Sequence, residues 1–157
     1  MNTKIKKRIS VVDIIILVAL LCAVAAGAFG LLKGLVGSGE KVSVKYVMEI
    51  SPIDSDLAKK VAEGDGVYDH SSALRIGTVS AVSAPQADYK GYDSQGAVVI
   101  SPMEGYSTLY VTVETEAFKT GNGYSVNDTL INVGKELSLR FPGLYADAKC
   151  VSIDIVE

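Results

Sequence analysis

The sequence has few of the residues that mark most catalytic and metal sites. Its 157 residues include one histidine, two cysteines and no tryptophan. His70 lies in the segment DGVYDH beside Asp65 and Asp69, and we interpret these three as solvated residues of a turn rather than metal ligands. No paired cysteines, no HExxH and no phosphate-binding loop occur, and no nucleophile elbow surrounds a serine. We therefore expect no enzyme activity, no metal site and no cofactor.

Charge is missing from one long stretch near the N-terminus. Residues 14–32 form a run of 19 residues without a charged side chain. As a helix this run would span about 28 Å, close to the bilayer hydrocarbon thickness of about 30 Å. A core helix of that length normally has a polar face, and this run has none. We expect a transmembrane helix over residues 11–33, with a cleaved signal peptide as the alternative.

Basic residues flank the apolar run unequally. Four of them precede it, and Lys33 alone follows it closely. The positive-inside rule therefore predicts a cytoplasmic basic tail over residues 1–10 and a C-terminal domain outside the membrane.

Small residues recur at a spacing of four within the run. Ala23 and Gly27 form one such pair, and Ala26 and Gly30 form another. Small residues on one helix face let a second helix approach closely. We treat these four as candidates for helix packing, and a homo-oligomer would follow from it.

The charge of the remaining chain has the opposite sign. Residues 1–33 carry five Lys or Arg and one Asp, a net charge of +4, whereas residues 34–157 carry ten Lys or Arg and 17 Asp or Glu, a net charge of −7. An acidic domain without a basic stripe is a poor match for nucleic acid, so we expect no nucleic-acid partner.

Alternating patterns predict a mainly β domain after a Gly-rich linker over residues 34–40. The domain covers residues 41–157, and the predicted fold is a small β-barrel or sandwich with one short helix at residues 54–63. Cys150 lies in an alternating strand and is expected to be buried and unpaired. The predicted strands cover residues 41–50, 67–69, 74–82, 97–101, 108–116, 130–133, 136–141 and 148–156.

Two parts of this pattern are predicted to be hairpins. Residues 84–96 are polar, with Pro85, Gly91 and Gly96, and indicate a long exposed hairpin or loop. The strands at 130–133 and 136–141 flank Gly134-Lys135, which is typical of a second hairpin.

Tyrosines cluster around the first of these hairpins. Tyr89, Tyr92 and Tyr106 are candidates for a partner surface, because tyrosine is enriched at protein interfaces. The alternative is that some of them line the core.

Much of the chain resembles a known bacterial family. The basic start, the entry VVDIII to the apolar run, and the segments VKYVMEI, VAEGDGVYD, IGTVSAV and NVGKELSLRFPG look like the family called domain of unknown function 4330. That resemblance implies a single-span protein of the bacterial cell envelope, and it brings no catalytic residues.

A weaker, local resemblance covers residues 64–82. This segment is similar to the start of the Mce lipid-transport domain, in which a Val-Gly-x-Val step matches residues 76–79. The resemblance implies a self-assembling subunit, often hexameric, that binds or conveys lipid. Val98, Val99 and Ile100 would then be the pore or lipid candidates.

Two functions follow from these observations. The first is a membrane-anchored, non-enzymatic adaptor or scaffold, whose partners are the lipid bilayer and other envelope proteins. The alternative is the Mce-like, lipid-conveying subunit.

Overall fold

The computed structural model describes residues 39–156. Three predicted segments lie outside the described residues. They are the cytoplasmic tail at 1–10, the transmembrane helix at 11–33 with its packing candidates Ala23, Ala26, Gly27 and Gly30, and residues 34–38 of the linker. No helix within the described part of the chain has the length and apolar character to cross a membrane. The described residues form nine strands and one helix: β1 Glu40–Asp54, α1 Ser55–Ala58, β2 Gly66–Asp69, β3 Arg75–Ser83, β4 Gln86–Tyr92, β5 Val98–Thr120, β6 Gly123–Val126, β7 Thr129–Ile131, β8 Glu136–Arg140 and β9 Tyr145–Val156.

Six of the strands close into an antiparallel barrel. Their order is β1-β9-β8-β2-β3-β5, and β5 pairs with β1 to complete the ring. Strands β6 and β7 continue from β5 as a small hairpin, and β4 pairs with β5 outside the ring. The prediction of a mainly β fold is therefore confirmed, and the structure distinguishes a barrel from a sandwich.

Alternating side chains of β1 and β5 fill the barrel. In β1, Tyr46 and Met48 are fully buried, and in β5 the residues Leu109, Val111 and Val113 are as well. Each such side chain contributes about 2 kcal/mol through its removal from water. The hydroxyl of Tyr46 donates to the carbonyl oxygen of Ile76 on β3 at 3.1 Å, which satisfies the polar group inside the core.

Cys150 is fully buried on β9, as predicted from the alternation. Burial raises the pKa of its thiol to about 11, so the thiol is protonated at neutral pH and poorly nucleophilic. The register between β1 and β9 shifts next to this residue, between Val47 and Met48.

The predicted helix at residues 54–63 is wrong in length. Only Ser55–Ala58 are helical, and Asp54 caps the helix by accepting from the backbone N–H of Asp56 at 2.8 Å. The next residues are held by β3, because Gly64 donates to the carbonyl of Val79 at 2.9 Å. This hydrogen bond between Gly64 and Val79 prevents another helical turn.

The short helix also changes which side chains face the core. Ala58 and Val61 are buried, whereas Leu57 is 46% exposed.

The predicted hairpin between residues 130–133 and 136–141 is also wrong. Strand β7 pairs with β6 through a turn at Asn127 and Asp128, whose φ angles are 45° and 66°, the pattern of a type I′ turn. Strand β8 pairs with β2 and β9 instead. The chain does turn at Gly134-Lys135, where the N–H of Lys135 donates to the carbonyl of Asn132 at 3.1 Å, but the N–H of Gly134 donates to the carbonyl of Cys150 on β9 at 2.7 Å. The turn therefore leads from β7 into the barrel wall and does not pair β7 with β8.

Gly77 lies where β3 approaches β5 closely. A Cβ atom at this position would overlap Cγ1 of Val113 and lie 3.0 Å from the carbonyl oxygen of Glu114. The glycine is therefore required by lack of space in the barrel wall rather than by a turn.

We expect Gly77→Ala to lower the free energy of unfolding by about 2 kcal/mol, because a methyl group here forces β3 away from β5. Thermal unfolding of the full chain in detergent, followed by circular dichroism, measures the effect. Gly121→Ala is the control, since a Cβ at Gly121 has no heavy atom within 4 Å. Equal melting temperatures for the two variants would contradict the close approach.

Candidate functional site

The segment DGVYDH contains one buried carboxylate, that of Asp69, whereas Asp65 is half-buried and His70 is exposed. Asp69 is only 8% exposed. Its carboxylate accepts from the N–H of Ser71 at 3.1 Å, from the hydroxyl of Ser72 at 2.9 Å and from the hydroxyl of Thr129 at 3.1 Å. The expectation of a solvated residue is wrong for Asp69, which joins the β2–β3 turn to β7.

These hydrogen bonds determine the ionisation of Asp69. Burial by itself raises the pKa of this carboxyl group, but the bonds from Ser71, Ser72 and Thr129 outweigh burial and hold the pKa below its ordinary value. The neighbouring His70 packs against Tyr145, with ring centroids 4.6 Å apart and the ring planes tilted by 57°. No group of His, Cys, Asp or Glu within the described residues has the arrangement of a metal site. The arrangement is that of a structural carboxylate.

A protruding hairpin is the strongest candidate for a functional surface. We call residues 88–92 of β4, residues 98–102 of β5 and the turn between them the ribbon. Within the described chain β4 pairs with β5 only, and the pairing of β1 with β5 ends at Tyr106. The ribbon therefore extends beyond the barrel wall as two strands without a neighbour on either side.

The ribbon is a continuation of β5, which corrects the sequence prediction. The expected strands at 97–101 and 108–116 are one strand of 23 residues. The two parts are separated by a bulge: β5 advances five residues from Ser107 to Pro102, while β4 advances two from Gln86 to Asp88. Gly105 lies within this bulge with a φ of 80°, where a residue with a Cβ would be strained.

Asp93 organises the turn at the end of the ribbon. Its carboxylate accepts from the N–H groups of Gln95 and Ala97, both at 2.8 Å, and its own N–H donates to the carbonyl of Ala97 at 2.9 Å. Gly96 follows with a φ of 82°. This is a type I turn with a glycine bulge, so the expected exposed hairpin is confirmed.

Both faces of the ribbon carry exposed apolar side chains. Pairing of Tyr92 with Val98 and of Lys90 with Ile100 places these four on one face. Tyr89 and Val99 lie on the other face, where the Tyr89 ring covers Gly91: a Cβ at Gly91 would be 2.8 Å from that ring. The exposed fractions are 59% for Tyr89, 79% for Tyr92, 63% for Val98, 46% for Val99 and 58% for Ile100.

The structure thus brings together two sets of residues that the sequence analysis assigned to different functions. Tyr89 and Tyr92 were candidates for a partner surface, whereas residues 98–100 were candidates for a pore or a lipid site. Tyr106 lies at the base, 43% exposed and paired with Asp54 of β1. Sequence reasoning missed Asp88 and Lys90, which are exposed on the outer strand of the ribbon; their positions on either side of Tyr89 were the available signal.

The geometry defines a closed six-stranded antiparallel barrel with a two-stranded apolar arm. The family model described as Domain of unknown function (DUF4330) matches residues 2–154, and the chain belongs to this family. The resemblance to that family is therefore confirmed, whereas the resemblance to the Mce domain stays a prediction. No curated protein and no solved structure shows significant similarity to the chain.

Asp69→Asn tests the buried carboxylate. The folded-state pKa lies below the unfolded one, so the stabilisation is present above about pH 4 and is lost as the pH falls through the folded value. We expect the variant to lose about 1–2 kcal/mol of unfolding free energy at pH 7, because charge-assisted hydrogen bonds become neutral ones.

Melting temperatures of both proteins between pH 7 and pH 2.5 check this expectation, and the difference should shrink below about pH 4. Exposed Asp154→Asn is the matched control. A difference that stays constant over this pH range would show that the charge of Asp69 contributes nothing.

Proposed function

We propose that this chain is a membrane-anchored, non-enzymatic adaptor or scaffold of the bacterial cell envelope, and that the ribbon is the arm by which it binds another envelope protein. The observation that carries the proposal is the exposure of five large apolar side chains on one protruding hairpin. Three of these side chains share one face of the ribbon and two share the other, and clusters of exposed apolar side chains mark interaction sites.

The membrane anchor in this proposal rests on the amino-acid sequence. The uncharged run at residues 14–32 would hold the protein in the bacterial cell membrane as a single span, with the basic tail at 1–10 in the cytoplasm and residues 41–157 outside. A ribbon that extends from an anchored barrel would then reach proteins in the same membrane or in the adjacent wall.

The composition of the ribbon favours a protein rather than the lipid bilayer as its partner. Its turn is polar, with Asp93, Ser94 and Gln95 at the end that a membrane-inserting hairpin would bury first. Tyr89 and Tyr92 combine apolar rings with hydroxyl groups, as is common at protein interfaces. The net negative charge of residues 34–157 also opposes approach to anionic headgroups.

The double variant Tyr92→Ser/Val98→Ser tests the arm, since these cross-strand neighbours are the two most exposed of its apolar residues. We expect the variant to lose at least about 90% of its cross-links to other envelope proteins, because truncation of central interface residues commonly costs 2 kcal/mol or more. In-cell photo-cross-linking from a probe at Gln95, followed by mass spectrometry, measures the yield.

Tyr145→Ser/Val133→Ser is the matched control, because Tyr145 is 54% and Val133 62% exposed and both lie away from the ribbon. Its cross-linking should equal that of the wild-type protein. Equal yields from all three proteins would overturn the assignment of the ribbon as the contact arm.

The second candidate function is the Mce-like subunit that binds or conveys lipid. The exposure of three consecutive apolar residues, Val98, Val99 and Ile100, favours it, because a ring of such segments would present an apolar channel. Native mass spectrometry of the full-length protein released from detergent separates the two functions. A closed ring that carries lipid supports transport, whereas a lipid-free monomer or dimer supports the adaptor.

A further inference from the structure

The outer edge of β4 has backbone groups available for another strand. The N–H of Asp93, directly after β4, is bonded to the carbonyl of Ala97, directly before β5. Along an antiparallel strand, residues whose backbone groups face the partner strand alternate with residues whose backbone groups face away from it. The N–H and C=O groups of Asp88, Lys90 and Tyr92 therefore point away from β5. Pro102 opposite Asp88 agrees with this pattern, since proline has no N–H to offer at an outward-facing position.

Two opposite charges lie on this edge, two residues apart and on the same face. Asp88 is opposite Pro102 and Lys90 is opposite Ile100, so neither has a charged neighbour across the ribbon. The ion pairs within residues 39–156 are Lys41–Glu116, Lys45–Glu114 and Lys59–Asp56, and none includes Asp88 or Lys90.

We propose that β4 pairs with β4 of a second copy of this chain, antiparallel and centred on Tyr89. In this register Asp88 of each copy lies opposite Lys90 of the other, so two cross-strand ion pairs form. The outward-facing backbone groups of these two residues also meet as hydrogen-bonded pairs. The two Tyr89 rings lie side by side on the opposite face.

The charges distinguish this arrangement from other pairings. A lysine on an edge strand normally discourages strand addition, and a register centred on residue 90 would place two lysines opposite each other. The register centred on Tyr89 replaces that repulsion with complementary charges on both sides of the two-fold axis. A second copy supplies this pattern by symmetry.

The dimer uses the edge of the ribbon, whereas the proposed adaptor function uses its faces. Two paired ribbons form a four-stranded sheet in which Tyr92, Val98 and Ile100 of both copies share one face. The dimer would double the apolar surface for a partner and would also provide the additional strands that a hairpin alone lacks. The two proposals therefore fail separately: loss of self-association leaves the binding of a partner to be measured by the cross-linking experiment above.

Charge reversal tests the register. Asp88→Lys makes both charges positive and Lys90→Asp makes both negative, so each variant should self-associate at least about tenfold more weakly than the wild-type protein. A mixture of the two variants should form a heterodimer, and the double variant Asp88→Lys/Lys90→Asp should recover self-association. Energy transfer between differently labelled full-length chains in mild detergent measures each combination.

Heterodimer formation specifically from the mixture would establish the proposed pairing, because association through residues 14–32 does not depend on these charges. Unchanged self-association of both single variants would overturn the proposal. Monomeric wild-type protein at every concentration tested would also overturn it.

A cross-link provides a second measurement. Opposed residues of a pair without backbone hydrogen bonds have Cα atoms about 4.5 Å apart, within the range for a disulfide. Cys22, the cysteine of the uncharged run at residues 14–32, is first replaced by serine. Tyr89→Cys in this Cys22→Ser background should therefore form a disulfide-linked dimer within minutes of mild oxidation. Lys90→Cys should link at least about tenfold more slowly, because the two copies of this residue would be diagonal neighbours about 7–8 Å apart. Equal rates at both positions would contradict the register.

Discussion

The pairing of β1 with β5 is the constraint on which the rest of the described structure depends. It runs from Glu40 opposite Lys119 to Asp54 opposite Tyr106 and closes the barrel. The ion pairs Lys41–Glu116 and Lys45–Glu114 lie along it, but both are exposed and contribute little. Its strength comes from the buried sides of the two strands. Where β1 ends, β5 continues without that neighbour, and the ribbon begins there.

Much of the barrel was predictable, because one face of each long strand is buried and the other is solvated. The alternation of β1 and of β5 at Leu109–Val113 survives folding unchanged, since the period of a strand is local. Features that depend on distant partners were not predictable. The bonds that join Gly64 and Asp65 to Val79 shorten the helix, and those that join Gly134 and Lys135 to Cys150 prevent the expected hairpin. Separate strands were predicted at 97–101 and 108–116, yet β5 passes through Pro102 and Gly105 between them, because that stretch of the described chain has no neighbour beyond β4.

The candidate site was predictable as residues but not as a surface. The tyrosines and the segment at 98–100 were recognised as candidates for function, although each suggested a different one. Only the register of β4 against β5 shows that they share one ribbon, and only the absence of further pairing among the described residues reveals its free edge. For Asp69 the prediction of exposure itself was wrong, because the residue is buried. Its polar neighbours suggested a solvated turn, whereas Thr129, 60 positions away along the chain, makes it part of the core.

The continuity of β5 has a consequence for how this family can diverge. Because side chains alternate between faces, adding one residue to each arm of the ribbon would exchange the faces of everything beyond the insertion. Adding two to each arm would preserve them and lengthen the ribbon by about 7 Å. We therefore expect evolutionary changes in the length of the ribbon to add or remove two residues in each strand at a time. The bulge around Gly105 is the place that can accommodate a change of one residue.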